Sequence, residues 1–112
     1  MSHRDLTPFN LLVRREGAET RLAGVLDGGG FGPADRALDL VCAWHLFDAP
    51  AREVLRAGVD AGTIEWLRGA AWAFQQAIGL GWYYEESNPD MSALGLSTLR
   101  RLLGDRELSA LI

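Results

Sequence analysis

Three side chains near the N-terminus, Asp5, Asn10 and Asp27, have the types and spacing that phosphoryl transfer needs. That chemistry uses one carboxylate to take the proton of an attacking hydroxyl. An amide oxygen and a second carboxylate hold magnesium (Mg2+) against the phosphates of a nucleotide such as ATP. Asp5 is the candidate catalytic base, and Asn10 and Asp27 are the candidate metal ligands. Four residues separate Asp5 from Asn10, so one tight loop can carry both. Asp27 comes after the apolar run Leu22 to Leu26, and a hairpin between Leu11 and Leu26 has to return it to Asn10.

The elements that must position these groups follow from local pattern. Leu11-Leu12-Val13 and Leu22 to Leu26 read as two strands, joined by the polar stretch Arg14 to Arg21 as a loop centred on Gly17. Asp27-Gly28-Gly29-Gly30-Phe31-Gly32 is a loop. The period then turns helical. Ala37, Leu40, Val41, Trp44 and Phe47 predict one helix over about 34–47, in which His45 packs with Trp44 and Phe47. Pro50 opens a short helix ending near Gly58. Ile64, Leu67, Ala71, Phe74 and Ile78 form the cleanest stripe and predict the buried face of a long helix, bent or ended by Gly79 and Gly81. Asn88-Pro89 caps a last helix with Leu99, Leu102 and Leu103 facing inward and Gly104 at its end. The expected fold is mostly α with a small β-hairpin, an α+β chain. It is read as a single domain over 1–112, with 1–32 holding the catalytic loop, hairpin and metal loop and 33–112 the helices.

Composition sets the outer limits. The 112 residues are too few for two domains, and 48% hydrophobic with 23% charged residues is a globular balance. The net charge of −4 gives no basic stripe for nucleic acid. All eleven cations are arginine, so no P-loop, Schiff-base or phosphate-anchoring lysine lies within these residues. A single cysteine, Cys42, and a polar N-terminus without a secretory pattern predict a cytoplasmic protein. The longest uncharged run, Gly69 to Tyr84, is short for a membrane span and contains two glutamines, so no membrane partner is expected.

His3-Arg4-Asp5-Leu6-Thr7-Pro8-Phe9-Asn10 matches the kinase catalytic-loop pattern H-R-D-L-x-x-x-N at every specified position. With Leu26-Asp27-Gly28-Gly29 and Asp35-Arg36-Ala37-Leu38-Asp39-Leu40, the chain resembles the C-terminal lobe of the aminoglycoside phosphotransferases. These are relatives of choline and homoserine kinases with a protein-kinase-like fold. A helix begins within about ten residues of Asp27, where a protein kinase has a long activation loop, so the small-molecule branch fits better. The resemblance covers roughly 2–104 and is concentrated in the first forty residues. It implies that His3 and Asp39 brace the catalytic loop. It also implies ATP and magnesium as co-substrate and cofactor, and a small-molecule hydroxyl, such as that of an aminoglycoside, as acceptor.

Three residues depart from the family pattern: Arg4 and Gly28 stand where it has glycine and an aromatic residue, and Arg36 where it has proline. The nucleotide-binding first lobe, with its covering loop and lysine, is missing from this stretch, so the isolated chain is expected to be nearly inactive and open to self-association. The alternative is a non-enzymatic remnant or a partner-binding helical module. A phosphohydrolase built on His3, Asp5 and His45 has too few histidines for the usual two-metal site. Asp35 and Asp39 also suit the first turn of a helix. Glu85, Glu86 and Asp90 are either an acidic substrate rim or a solvated helix end.

Overall fold

In the computed structural model of the chain, residues 2–3, 5–28 and 32–111 are described. The described residues are mostly helical, 61%, and form one two-stranded antiparallel sheet. Strand β1 (Leu11–Glu16) pairs with β2 (Glu19–Val25) from Leu11 opposite Val25 to Glu16 opposite Glu19. The polar stretch 14–21, expected as a loop, is therefore mostly strand. Gly17 takes a φ of +64°, which a side chain resists, and this lets the chain reverse in two residues. Alternating Arg and Glu side chains at the tip stay in solvent, where ion pairs such as Arg21–Glu19 at 3.1 Å add little.

The single helix expected over 34–47 is two pieces. A 3₁₀ helix, Arg36–Val41, leads into the short α1 (Cys42–Leu46). The three-residue step from Ala37 to Leu40 suits three residues per turn, and both side chains are buried. Asp35 caps this segment by accepting the Ala37 N–H at 3.0 Å, and it also takes the Trp72 indole N–H and pairs with Arg68. These contacts, the Ala37 N–H first, hold its carboxyl below the ordinary value. Helix α2 (Ala49–Gly58) begins as expected, with Pro50 in its first turn and Asp48 as its cap.

Helix α3 (Thr63–Tyr83) buries a face different from the predicted one. Trp66, Gly69, Ala70, Ala73 and Ala77 point inward, whereas Ile64 is 77% and Phe74 49% exposed, and Ala71 and Ile78 are also exposed. Close approach explains the choice. A Cβ added to Gly69 would fall 2.7 Å from the Leu40 Cβ. One added to Gly95 of α4 (Pro89–Leu103) would fall 2.4 Å from the Gly81 nitrogen. Gly79 and Gly81 therefore do not end the helix, and Gly81 is where α4 crosses it. Asn88 caps α4 by accepting the Met91 N–H at 3.3 Å. Leu102 is buried and Leu99 half-buried, but Leu103, expected inward, is 75% exposed.

The core joins Ala37, Leu40, Val41, Trp44, Trp66, Ala70, Ala73 and Leu102, with the two indoles 5.0 Å apart. A last turn, α5 (Arg106–Ser109), was not evident in the sequence. Its cap, Asp105, also accepts the Trp44 indole N–H at 3.3 Å and pairs with buried Arg52 at 3.7 Å.

Candidate functional site

The segment that carries Asp5 is tied to the rest of the chain by polar contacts. Ser2 and Gly32 exchange backbone hydrogen bonds at 2.9 and 3.2 Å, and the Ser2 hydroxyl donates to the Asp35 carbonyl at 3.0 Å. Next to it, the His3 N–H donates to Asp39 Oδ2 at 3.0 Å. The His3 ring spans the two halves of the site. Its Nδ1 accepts the Asp5 N–H at 3.2 Å, so the ring proton sits on Nε2 and is donated to the Leu26 carbonyl at 2.8 Å. One imidazole thus fixes the residue before Asp27 and the backbone of Asp5 together.

Asn10 closes the loop from its other end. Its Nδ2 donates to the Asp5 carbonyl at 2.9 Å and to Asp5 Oδ2 at 3.1 Å, while its own carbonyl accepts the Leu26 N–H at 2.7 Å. The hairpin therefore brings its two ends together as the sequence required, with Asp27 one residue beyond the pairing. Asp27 is exposed, at a φ of +57°. A left-handed non-glycine residue costs about 1 kcal/mol or more, a strain often stored at functional sites. Gly29 and Gly30 of the metal loop, and Arg4, lie outside the described residues.

Asp5 and Thr7 form one wall of a cleft of about 520 Å³. The opposite wall comes from the end of α3 and the start of α4, including Gln76, Trp82, Tyr83 and Met91. Asp5 is the one charged side chain among its described lining residues. Glu85 and Glu86 line a separate recess that shares Trp82 and Tyr83 with this cleft, and Asp90 lines neither. The structure thus gathers His3, Asp5, Asn10 and Asp39 with the hairpin end that carries Asp27, and leaves the three acidic residues of the expected rim outside the cleft.

The family model of the phosphotransferase enzyme family, APH, matches residues 1–73. The chain belongs to that family. No curated protein and no solved structure matches it. The matched stretch contains Asp5, Asn10, Asp27 and Asp39, and it stops inside α3. The wall of the cleft from Gln75 to Met91 lies beyond the match.

Behind that wall stands a histidine whose surroundings the sequence did not reveal. His45 is buried, and its Nδ1 meets the Thr98 hydroxyl oxygen at 2.8 Å. That hydroxyl spends its proton on the Leu94 carbonyl at 2.8 Å, so Nδ1–H is the donor and Nε2 is bare. Nε2 is buried and meets no hydrogen-bond partner among the described residues by geometry, with the Gln76 side chain close to the ring. Burial pushes the ring below its ordinary pKa, while Gln76 and Asp5 lie near enough to favour its charged form. Gln76 and Thr98 carried no signal in the sequence because single amide and hydroxyl residues on helices have no spacing rule. Cys42, buried against the Asp39 carbonyl, has its thiol pushed up to about 11 and is unreactive at neutral pH.

Proposed function

We propose that the chain is the catalytic lobe of an ATP-dependent phosphotransferase acting on the hydroxyl of a small molecule, with the C-terminal-lobe architecture of the protein-kinase-like fold. The observation that carries this reading is the pairing of Asn10 with Asp5, which holds one carboxylate oxygen and leaves the carboxylate on the wall of the cleft. An acceptor in the cleft presents its hydroxyl to Asp5. The oxygen forms a bond to the γ-phosphorus, the bond from that phosphorus to the bridging oxygen breaks, and ADP leaves. Asp5 takes the hydroxyl proton. His3 and Asp39 act as positioning residues, keeping Asp5 and the Asp27 strand end in register.

The donors present fit magnesium by their chemistry. No group of three or more His, Cys, Asp or Glu side chains is placed to cage an ion among the described residues. Magnesium, however, commonly takes one or two protein oxygens and completes its shell with phosphates and water. The amide nitrogen of Asn10 faces Asp5, so its oxygen faces away, and the Asp27 carboxylate is exposed at the adjoining strand end. Asn10 and Asp27 would hold the ion, which supplies charge neutralisation on the nucleotide phosphates when bound.

The test is made on the chain together with a nucleotide-binding lobe. Asp5→Asn lowers kcat by about 10²- to 10⁴-fold without changing the circular dichroism spectrum. Asn10→Ala and Asp27→Ala weaken magnesium–ATP binding in calorimetry. Near-normal turnover by Asp5→Asn overturns the base assignment, and unchanged nucleotide affinity in both other variants overturns the ligand roles.

A further inference from the structure

The lining of the cleft carries information about the acceptor that the matched part of the chain does not. Its outer wall is aromatic and amide-bearing: Gln75, Gln76, Trp82, Tyr83 and Tyr84, with Met91 at the start of α4. Trp82 is 80% exposed, so its ring is a surface open to a ligand rather than part of the core. The charge inventory is short. Asp5 is the one charged lining residue among those described, and in the proposed reaction it must accept a proton. A polycationic amino sugar entering here would find no second carboxylate among the described lining residues to pair with its remaining ammonium groups. The carboxylates that could answer them, Glu85 and Glu86, line a neighbouring recess that shares Trp82 and Tyr83 with the cleft.

A single quaternary ammonium held by ring faces is the other chemistry an aromatic wall suggests. It needs several faces converging on one point. Tyr83 and Tyr84 instead pack edge to face, with centroids 4.9 Å apart and planes at 83°, so the edge of one ring lies against the face of the other. Trp82 is thus the most open stacking platform of the wall, beside two carboxamides for neutral oxygen functions.

Resting on the phosphotransferase reading, we infer that the acceptor is an uncharged alcohol with a flat, apolar body, which stacks on Trp82 and bonds to Gln75 and Gln76. The hydroxyl points to Asp5 from across the cleft. Polycationic amino sugars are disfavoured because the described lining of the cleft offers them one carboxylate, while Glu85 and Glu86 line a neighbouring recess.

The full ¹⁵N-labelled chain is titrated with 2-(2-naphthyl)ethanol, with choline and with kanamycin, following the Trp82 indole and the Gln75 and Gln76 side-chain amides by NMR. Naphthylethanol shifts these signals, and Trp82→Ala weakens it about tenfold, the scale expected for loss of one aromatic platform. Glu86→Gln leaves this binding within about twofold, because that carboxylate lines the separate recess and not the cleft. Tighter binding of choline or kanamycin at these signals overturns the inference, as does naphthylethanol binding that ignores Trp82→Ala or the absence of such binding. The two readings separate in a transfer assay with the nucleotide-binding lobe present. ATP-dependent phosphorylation of kanamycin but not of the aromatic alcohol defeats the acceptor class and keeps the phosphotransferase. Stacking at Trp82 with no Asp5-dependent transfer to any alcohol defeats the phosphotransferase reading and keeps the uncharged ligand.

Discussion

The two walls of the cleft are held in place by opposite means. The wall that carries Asp5 is a stretch of loop and hairpin with little buried apolar surface, fixed by directional hydrogen bonds through His3, Asn10 and Asp39. The wall that carries Gln76 and Trp82 belongs to α3 and α4, fixed by backbone contact where Gly95 meets Gly81 and Ala77. Hydrogen bonds set a few atoms to a fraction of an ångström and are individually modest. Helix contact without side chains between the backbones leaves no room to adjust. The first wall should therefore be sensitive to loss of polar atoms, and the second to gain of any atom.

The largest effect follows from that second sensitivity. Gly95→Ala places a methyl 2.4 Å from the Gly81 nitrogen and 2.7 Å from the Ala77 carbonyl oxygen, and backbone cannot swing aside. The expected cost is about 2–3 kcal/mol, read as a lower urea midpoint. Gly79→Ala is the paired control. It sits in the same helix as Gly81 with open space at its Cβ, so it should stabilise by up to about 1 kcal/mol through helix propensity. Equal effects of the same sign would show that the Gly95–Gly81 approach is not what fixes the helical wall.

A smaller and more local effect is expected on the loop side. His3→Ala removes the ring that takes the Asp5 N–H and bonds to the Leu26 carbonyl, at a cost of about 1–2 kcal/mol. Amide exchange at Leu26 should quicken, while that of the α3–α4 seam changes no more than the global stability requires. Uniform acceleration across both walls would show that the loop is held by the core after all.

This division also explains what was legible in the sequence. Asp5, Asn10 and Asp27 stood out because chemistry demands particular residue types at particular separations, and the hairpin that joins them followed from two apolar runs flanking a polar stretch centred on Gly17. The 3₁₀ entry to α1 was not legible, since Ala37, Leu40, Val41 and Trp44 satisfy a helical count whether the turn is tight or not. The buried face of α3 was misread for a physical reason. Periodicity weighs large apolar residues, but where two backbones touch, the inward positions belong to glycine and alanine, and Ile64, Phe74 and Ile78 are displaced outward. The cleft wall from Gln75 to Met91 had no motif because stacking and amide contacts tolerate many spacings.

The smallest expected effect is the one that checks this reading of α3 directly. If the stripe of Ile64 and Phe74 were the core face, replacing either with serine would remove a large buried side chain and cost several kcal/mol. With Ile64 77% and Phe74 49% exposed, little apolar area returns to water on truncation, and Ile64→Ser should change stability by no more than about 0.5 kcal/mol. Phe74→Ser, half-covered, should cost somewhat more but stay below about 1.5 kcal/mol. Ala73, fully buried, supplies the contrast: Ala73→Leu must force three further heavy atoms into a filled core and should cost more than either. Urea midpoints of the three variants, compared with that of the unaltered chain, decide which face carries the core. The order Ala73→Leu above Phe74→Ser above Ile64→Ser follows from the small-residue seam, and the reverse order would restore the stripe.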